Sequence, residues 1–436
     1  MLGLIKSYFV DKEKTTRIVV VGGGTGGITS AAQLNNNFKE KAEITIVEPS
    51  TVHYYQPLFT LIGGGIFKKE KSVCNTEDVI PKGTKWLKDS VVTFVPTENK
   101  VVTKAGETIP YDYLVVSMGI QMNFDKIKGL KQNLGKNGVA CNYHPDYVEN
   151  TFEFLQNLKQ NIQLHQKDPS ELKKPLNLIF TCPVTPVKCA GAVQKVMYLA
   201  DDYFRKSGQR DKVNMQYNTA LLTMFAVKKY ADALDTLAKG RGIQQNFQHN
   251  LVEIKGETKE AVFETPQGLK KVPYDFIHVV PPMGPPDAIR QSPFADPITG
   301  YMDVNKETLQ SKSFPNVFGL GDCTNLPTSK TAAAISSQAP VLVSNLISHK
   351  LGLPLTATYK GYTACPITTS YNKMILAEFL YNNEVKESFP FDQGVESYTP
   401  MLIKKYIFPT AYWNLMLKGY WFGPNLLKNP YPPHSL

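Results

Sequence analysis

Arg17-Ile18-Val19-Val20-Val21-Gly22-Gly23-Gly24-Thr25-Gly26-Gly27 is an apolar strand that runs straight into a glycine turn. An Ala-containing helical stretch follows over 28–34, and a second apolar strand, Glu43-Ile44-Thr45-Ile46-Val47, ends at Glu48. Strand, glycine turn, helix and strand make a βαβ unit of about 30 residues, the context in which a GxGxxG pattern means a dinucleotide site. Each glycine has a physical task. Gly22 and Gly23 form the tight turn, Gly24 lets the backbone approach a pyrophosphate, and Gly27 permits close helix–strand packing. The helix N-terminus presents unpaired N–H groups and a positive dipole end to the phosphates. Glu48 is placed to accept hydrogen bonds from an adenosine ribose.

Further elements spread outward from this unit. Strands are expected at 91–95 and 100–104, and the run 111–117 ends near Gly119. A polar helix over 146–166 leads to a charged linker, 167–174. A second set of elements then begins with a strand at 176–180, a loop holding Cys182 and Cys189, a helix to about 206 and a strand at 213–217. A helix over 224–239 and short strands through 274–280 follow. Pro281-Pro282-Met283-Gly284-Pro285-Pro286 breaks regular structure and marks a return crossing. The strand of Asn316-Val317-Phe318-Gly319-Leu320 then ends at Asp322, ahead of a long helix over 330–349. The expected class is α/β, with two Rossmann-like, three-layer, parallel-sheet domains of the FAD/NAD(P)-binding type. The expected boundaries are 15–150 for the first part of the FAD-binding domain and 151–300 for the second Rossmann-like domain. The FAD-binding domain resumes over 301–390, and a C-terminal amphipathic membrane-association segment spans 391–436.

Composition excludes several classes. Of 436 residues, 42% are apolar and 20% charged, which excludes wholesale disorder. The net charge of +10 favours an anionic partner, but the positive charge is scattered Lys without an Arg-rich block, so nucleic acid is not expected. Six cysteines in so long a chain do not make a disulfide scaffold, and none has zinc-ligand spacing, so no metal is expected. No apolar run reaches the roughly 18 residues of a membrane span. The opening MLGLIKSYFV, acid-free with one Lys, suits a remnant of an organelle-targeting segment or a disordered start.

The first motif alone does not separate FAD from NAD. Asp322, at a strand end and before a helix whose N-terminus can face a flavin, resembles the ribityl-binding Asp of two-dinucleotide-domain flavoprotein reductases. The turn at Gly119 resembles theirs too, with Met118-Gly119 where Thr-Gly is usual. FAD is therefore the expected cofactor. Reductases of that superfamily that use NADH carry a second GxGxxG after the strand that opens the middle domain. Here the sequence is Thr181-Cys182-Pro183-Val184-Thr185-Pro186-Val187-Lys188-Cys189-Ala190-Gly191-Ala192. Two prolines fix φ and remove N–H donors, so no pyrophosphate cradle survives. Cys189, just before an expected helix at 190–204 and near Lys188 and Lys195, is a candidate thiolate. Cys365, beyond the long helix, is its candidate partner.

Three stretches carry a closer resemblance. They are Pro186-Val187-Lys188-Cys189-Ala190-Gly191-Ala192, Gly361-Tyr362-Thr363-Ala364-Cys365-Pro366, and Gly321-Asp322-Cys323-Thr324-Asn325-Leu326-Pro327-Thr328-Ser329-Lys330. From about residue 16 to the C-terminus, the chain resembles the mitochondrial type of sulfide:quinone oxidoreductase. The resemblance implies that Cys189 and Cys365 are the catalytic pair beside the flavin. It also implies that Glu48, Gln56, Val91, Asp322 and Lys330 contact FAD. Hydrogen sulfide would attack a Cys189–Cys365 disulfide, or a sulfur-bridged form of it, leaving a persulfide on Cys365. Two electrons would pass through FAD to a ubiquinone-type quinone, and the sulfane sulfur to sulfite, glutathione, coenzyme A or cyanide. Lys330 could stabilise negative charge on the reduced flavin. Cys74, Cys141, Cys182 and Cys323 are read as structural.

From 398 to 431 the chain carries Lys404, Lys405, Lys418 and Lys428, no acidic residue, and a dense set of aromatics that includes Trp413 and Trp421. Short amphipathic segments, broken at Pro409 and at Gly423-Pro424, suit an anchor lying in the headgroup layer. The expected location is the mitochondrial inner membrane, peripheral and matrix-facing, with a homodimer or a larger membrane complex as possible assemblies. Three rival readings share the fold. They are a membrane-associated NADH:quinone reductase, a soluble sulfide dehydrogenase feeding a cytochrome, and a structural flavoprotein subunit of a membrane assembly.

Overall fold

Five parallel strands form the sheet whose centre runs into the glycine turn. In the computed structural model, which describes residues 15–165 and 174–434, their order is Val317–Gly319, Tyr113–Val116, Thr16–Val21, Ala42–Val47 and Lys85–Leu87. The opening segment 1–10 and most of the linker 167–174 lie outside the described residues. Ile18, Val19, Val20 and Val21 are all buried, as expected of a strand covered on both faces. The helix Thr25–Phe38 follows the glycine turn and packs on the long helix Ala332–Lys350.

A second parallel sheet has the order Val139–Ala140, Phe276–His278, Leu176–Cys182, Val213–Thr219 and Gln244–Asn246. Three-stranded antiparallel sheets, Val91–Val95 with Lys100–Thr103 and Thr108–Pro110, and Asn250–Lys255 with Glu260–Thr265 and Gly268–Pro273, flank the two domains. Each parallel sheet has its own core.

Some expected boundaries move. Val139–Ala140 pairs with Phe276–His278, and Ile127, Leu130 and Leu134 pack in the second core, so this stretch leaves the first domain before residue 150. Ile289 and Phe294 pack in the first core, so the return crossing at 281–286 marks the true switch. The helix expected to start at 224 begins at Lys228, and the one after Cys189 begins at Ala192. The C-terminal stretch is continuously helical from Tyr398 to Met416, and Pro409 does not break it. Two wide π-type turns, Ile403–Ile407 and Tyr412–Met416, flank the proline and absorb the bond that it lacks. No described helix is long and apolar enough to cross a membrane.

The hairpin Thr363–Thr368 with Met374–Phe379 lies between the two cores. Its period-two alternation sends Cys365, Ile367, Ile375 and Ala377 into the second core, and Met374 and Leu376 into the first.

The glycine turn gives a direct test of this packing. A Cβ on Gly27 would overlap the carbonyl of Gly22, which itself sits at φ +99°, whereas one on Gly240 would meet nothing. Gly27→Ala is expected to lower stability by about 1–3 kcal/mol, read as an earlier urea midpoint. Gly240→Ala should leave the midpoint where it is.

Candidate functional site

A cavity of about 810 Å³ joins three features that lie far apart in sequence. One is the glycine turn, where Gly22, Gly24, Thr25 and Gly26 line the cavity with Glu48. Another is formed by Ser117, Gly119, Asp322 and the start of the long helix. The third is Cys189 with Lys195, and the C-terminal helix runs along the wall. Several observations fit a dinucleotide here. A Cβ on Gly24 would project into open space, as a backbone approached by a ligand requires. Glu48 is fixed by the Gly23 amide, 2.6 Å from Oε2, and the Ser50 amide, 2.7 Å from Oε1, which leaves lone pairs on the cavity side. The helix Ala332–Lys350 is capped by Thr331, whose Oγ1 accepts from the Ala334 amide at 3.0 Å, and Thr331 to Ala333 face the cavity.

Other expected contacts are placed differently from one another. Gln56 lines the cavity and its Oε1 accepts from Lys188 Nζ at 2.9 Å. Asp322 lines it too; burial pushes its carboxyl up, against the pull of Lys330 and Lys188. Asp322 sits in a turn after its strand, and the helix it was expected to precede directly begins only at Ala332. Lys330 Nζ donates to the carbonyls of Asp322 at 2.7 Å and Thr324 at 3.0 Å, and lies over the Tyr301 ring. Gly23 and Gly27 act within the turn, away from the cavity surface. Val91 is buried in the first core and does not line the cavity.

The two candidate cysteines come together, with sulfurs 3.9 Å apart. Cys365 is fully buried on the hairpin, and Ser329 Oγ lies 3.6 Å from its sulfur. Cys189 sits in the left-handed region at φ 52°, a strained position for a residue with a side chain. Its loop is tied to the segment that leads into the long helix: the Cys189 amide donates to the Lys330 carbonyl at 2.7 Å, and the Ala190 amide to Ser329 Oγ at 3.4 Å. Behind it, the Met283 amide donates to Thr185 Oγ1 at 3.0 Å. The loop is thus fastened from both sides and offers no glycine cradle.

The electrostatics of the pair are asymmetric. A hydrogen bond from Cys365, together with Lys195 and Lys404, holds the Cys189 thiol well below its ordinary range despite burial. Lys195 Nζ lies 3.2 Å from the Cys189 sulfur. Cys365 is pushed the opposite way by the neighbouring thiolate and by burial. The Lys188 contribution expected from the sequence is not found; its ammonium faces Gln56 and Asp322 instead.

Lys404 is the residue the sequence reading misplaced. Grouped with the surface lysines of the tail, it is in fact only 4% exposed and lines the cavity, where burial and Lys195 push its pKa down to about 7. The signal was available, because Met401, Lys404, Phe408 and Ala411 fall on one helical stripe, the inward one. The same helix is locked to the glycine turn. His53 Nδ1 lies 3.1 Å from the Gly23 carbonyl, so that nitrogen carries the proton, and Nε2 accepts from the Tyr412 hydroxyl at 2.6 Å. Thr25 Oγ1 lies 2.9 Å from the same hydroxyl, and burial keeps His53 neutral with a pKa near 4.

The family model described as pyridine nucleotide-disulphide oxidoreductase matches residues 16–172. The chain is 60% identical to the mitochondrial sulfide:quinone oxidoreductase of Dictyostelium discoideum, over 96% of this chain and 91% of that protein. It is 45% identical to the mouse protein of the same name, over 94% and 88%. Among solved structures, the sulfide:quinone oxidoreductase of Aquifex aeolicus superposes with a TM-score of 0.74 at 19% identity, covering 93% of this chain and 92% of that one. A chain of the Tetrahymena thermophila mitochondrial ATP synthase assembly superposes at 0.79 with 17% identity, covering 94% and 98%. At those identities the superpositions speak for the fold alone. The chain belongs to the sulfide:quinone oxidoreductase family of flavin-dependent oxidoreductases.

The charge arrangement at Cys189 predicts its reactivity. In reduced protein, iodoacetamide should alkylate Cys189 at pH values well below the ordinary thiol range of about 8.5. Lys404→Met should move that inflection upward. Because Lys404 itself loses its proton near pH 7, wild type and variant should converge at alkaline pH. Identical profiles at all pH values would show that Lys404 does not act on the thiolate.

Proposed function

We propose that this family member oxidises hydrogen sulfide through Cys189 and Cys365, with FAD in the cavity and a membrane quinone as electron acceptor. The observation that carries the reading is one continuous cavity lined by the glycine turn and by Cys189, whose sulfur lies 3.9 Å from that of the buried and unequal Cys365. The lining, with Glu48 beside the glycine turn as well as Asp322 ahead of the long helix, favours the dinucleotide FAD over a mononucleotide flavin. Gly22, Gly23, Gly24 and Gly27 would shape the pyrophosphate turn. Glu48, Gln56, Gly119, Asp322 and Lys330 would contact the cofactor, and Val91 would act only from behind, through the core. When bound, FAD would take two electrons from the sulfur centre and deliver them to the quinone.

The inequality of the sulfurs supports a direction for the chemistry. Hydrosulfide attacks Cys365 in the disulfide, the Cys365–Cys189 bond breaks, and Cys189 leaves as a thiolate. The thiol of lower pKa is the better leaving group, and Lys195 and Lys404 hold the charge that develops there. The persulfide on Cys365 then gives its outer sulfur to a small nucleophile, with sulfite, glutathione, coenzyme A and cyanide as candidates and a second hydrosulfide in that place when sulfide alone is in excess. Removal of two electrons from the two thiols restores the disulfide. The Pro183 to Lys188 loop, fastened on both sides, argues against a pyridine nucleotide donor.

The tail supports a membrane role. Tyr398, Leu402 and Tyr406, spaced four apart, are 60%, 57% and 60% exposed and form an outward apolar stripe. Ile407 and Leu426 both line the cavity and reach its outer surface, so the cavity rim adjoins that stripe. A lipid-soluble quinone entering there would meet Phe408 and Phe389. The relatives are named as mitochondrial proteins, and this reading puts the chain in that organelle, on the matrix face of the inner membrane. Homodimerisation or a place in a larger membrane complex is compatible with this surface.

Two experiments follow. Cys189→Ser and Cys365→Ser should each abolish rapid bleaching of the flavin by sulfide while the flavin stays bound; bleaching at the wild-type rate in either would end the two-cysteine reading. Leu402→Glu with Tyr406→Glu should release the protein from anionic phospholipid vesicles in a flotation assay, with sulfide bleaching retained. Undiminished flotation would remove the stripe from the membrane surface.

A further inference from the structure

The hairpin that carries Cys365 also carries a buried carboxyl with no part in the sulfur chemistry. Cys365 pairs with Ala377 and Ala364 with Glu378, so alternation puts Cys365 on one face and Glu378 on the other. The Cys365 face belongs to the second core. The opposite face presents Ala364, Pro366, Leu376 and Glu378 to the cavity, opposite the C-terminal helix. The hairpin therefore turns Cys365 away from the cavity wall that Ala364 and Glu378 help to form, while Cys189 lines that same cavity.

Glu378 is 4% exposed, and its four hydrogen-bond partners are all neutral. Oε1 accepts from the Tyr362 hydroxyl and from Ser388 Oγ at 3.0 Å. Oε2 accepts from the Ser388 amide at 2.9 Å and from Gln393 Nε2 at 2.8 Å. A carboxylate buried among apolar walls is costly and is kept where it has work to do. Tyr362, Glu378 and Ser388 all line the cavity, and of the three only Ser388 is exposed. Other titratable groups surround it. Tyr230 from the helix behind bonds its main chain, Lys229 is held by Glu387 and Asp392 at 2.7 Å each, Tyr359 lies behind Tyr362, and Lys404 faces it across the cavity.

Quinone reduction has an unmet proton requirement. A quinone becomes a quinol by taking two electrons and two protons. An anionic reduced flavin supplies both electrons and one proton, as a hydride equivalent, so the second proton must come from water through the protein. The cavity is walled by apolar residues on the quinone side, and the Glu378 cluster joins that chamber to the exterior.

We propose that Glu378 takes a proton from solvent at Ser388 and relays it through the Tyr362 hydroxyl to the oxygen of the quinone being reduced. Tyr362 gives its proton to the quinol oxygen and receives that of Glu378 in the same event. A discrete phenolate is not formed, because burial and the adjacent carboxyl push the Tyr362 pKa well up. The net change is one proton moved from solvent to quinol, with no redox change in either residue.

This inference rests on the quinone reading, and its test separates the two. Glu378→Gln keeps shape and most hydrogen bonds but carries no transferable acid proton. In the intact flavin-loaded enzyme, sulfide should bleach the flavin of Glu378→Gln at the wild-type rate. Reoxidation by a short-chain ubiquinone should be at least tenfold slower and should lose its solvent deuterium isotope effect, whereas reoxidation by ferricyanide, which takes electrons without protons, should be unchanged. Tyr362→Phe should behave the same way. The infrared difference spectrum between oxidised and reduced protein should contain a carboxyl band that disappears in Glu378→Gln. Quinone reoxidation of Glu378→Gln at the wild-type rate overturns the relay, as does equal slowing with quinone and ferricyanide, which would mark a purely structural role. Wild-type enzyme that sulfide bleaches but quinone does not reoxidise would overturn the functional reading and the relay with it.

Discussion

A thiolate removed from water must be held by cations or hydrogen bonds, or it protonates. Around Cys189 that condition is met by three elements distant in sequence: Lys195 on the helix after it, Cys365 on the central hairpin, and Lys404 on the C-terminal helix. Much of the architecture follows from assembling them. The return crossing brings the hairpin between the two cores, the Cys189 amide is tied to the Lys330 carbonyl, and Tyr412 pins the C-terminal helix to the glycine turn through His53 and Thr25. The cost is visible as the left-handed backbone at Cys189 and as a buried ammonium at Lys404 whose pKa falls to about 7.

The hairpin organises the rest of the site. Because side chains alternate along a strand, one pair of strands can serve the second core and the cavity at once. Cys365 and Ile367 take the first side, and Ala364 and Glu378 the second.

Some of this was legible in the sequence. The strand, glycine turn and helix stand where the sequence places them, with Glu48 on the cavity, because these elements are consecutive and each glycine has a local steric reason. The missing cradle after Leu176–Cys182 was legible for the same reason, since proline acts on its own backbone. Cys189 and Cys365 were paired through family resemblance, because 176 residues separate them and no local rule brings two such positions together. Lys404 and Glu378 were missed for a related reason. Composition marked Lys404 as one more basic tail residue, and nothing near Glu378 in sequence announces Tyr362 or Ser388 as its partners. The expected break at Pro409 failed because two wide turns accommodate the proline within one helix, a tertiary solution that local propensity does not foresee.

The central claim is that sulfide attacks Cys365 and releases Cys189. The most direct measurement is mass spectrometry of oxidised enzyme mixed anaerobically with one equivalent of sulfide, without acceptor, and alkylated at once. The account predicts one extra sulfur on the peptide containing Cys365 and simple alkylation of Cys189. An extra sulfur on Cys189, or on neither cysteine while the flavin bleaches, would contradict it.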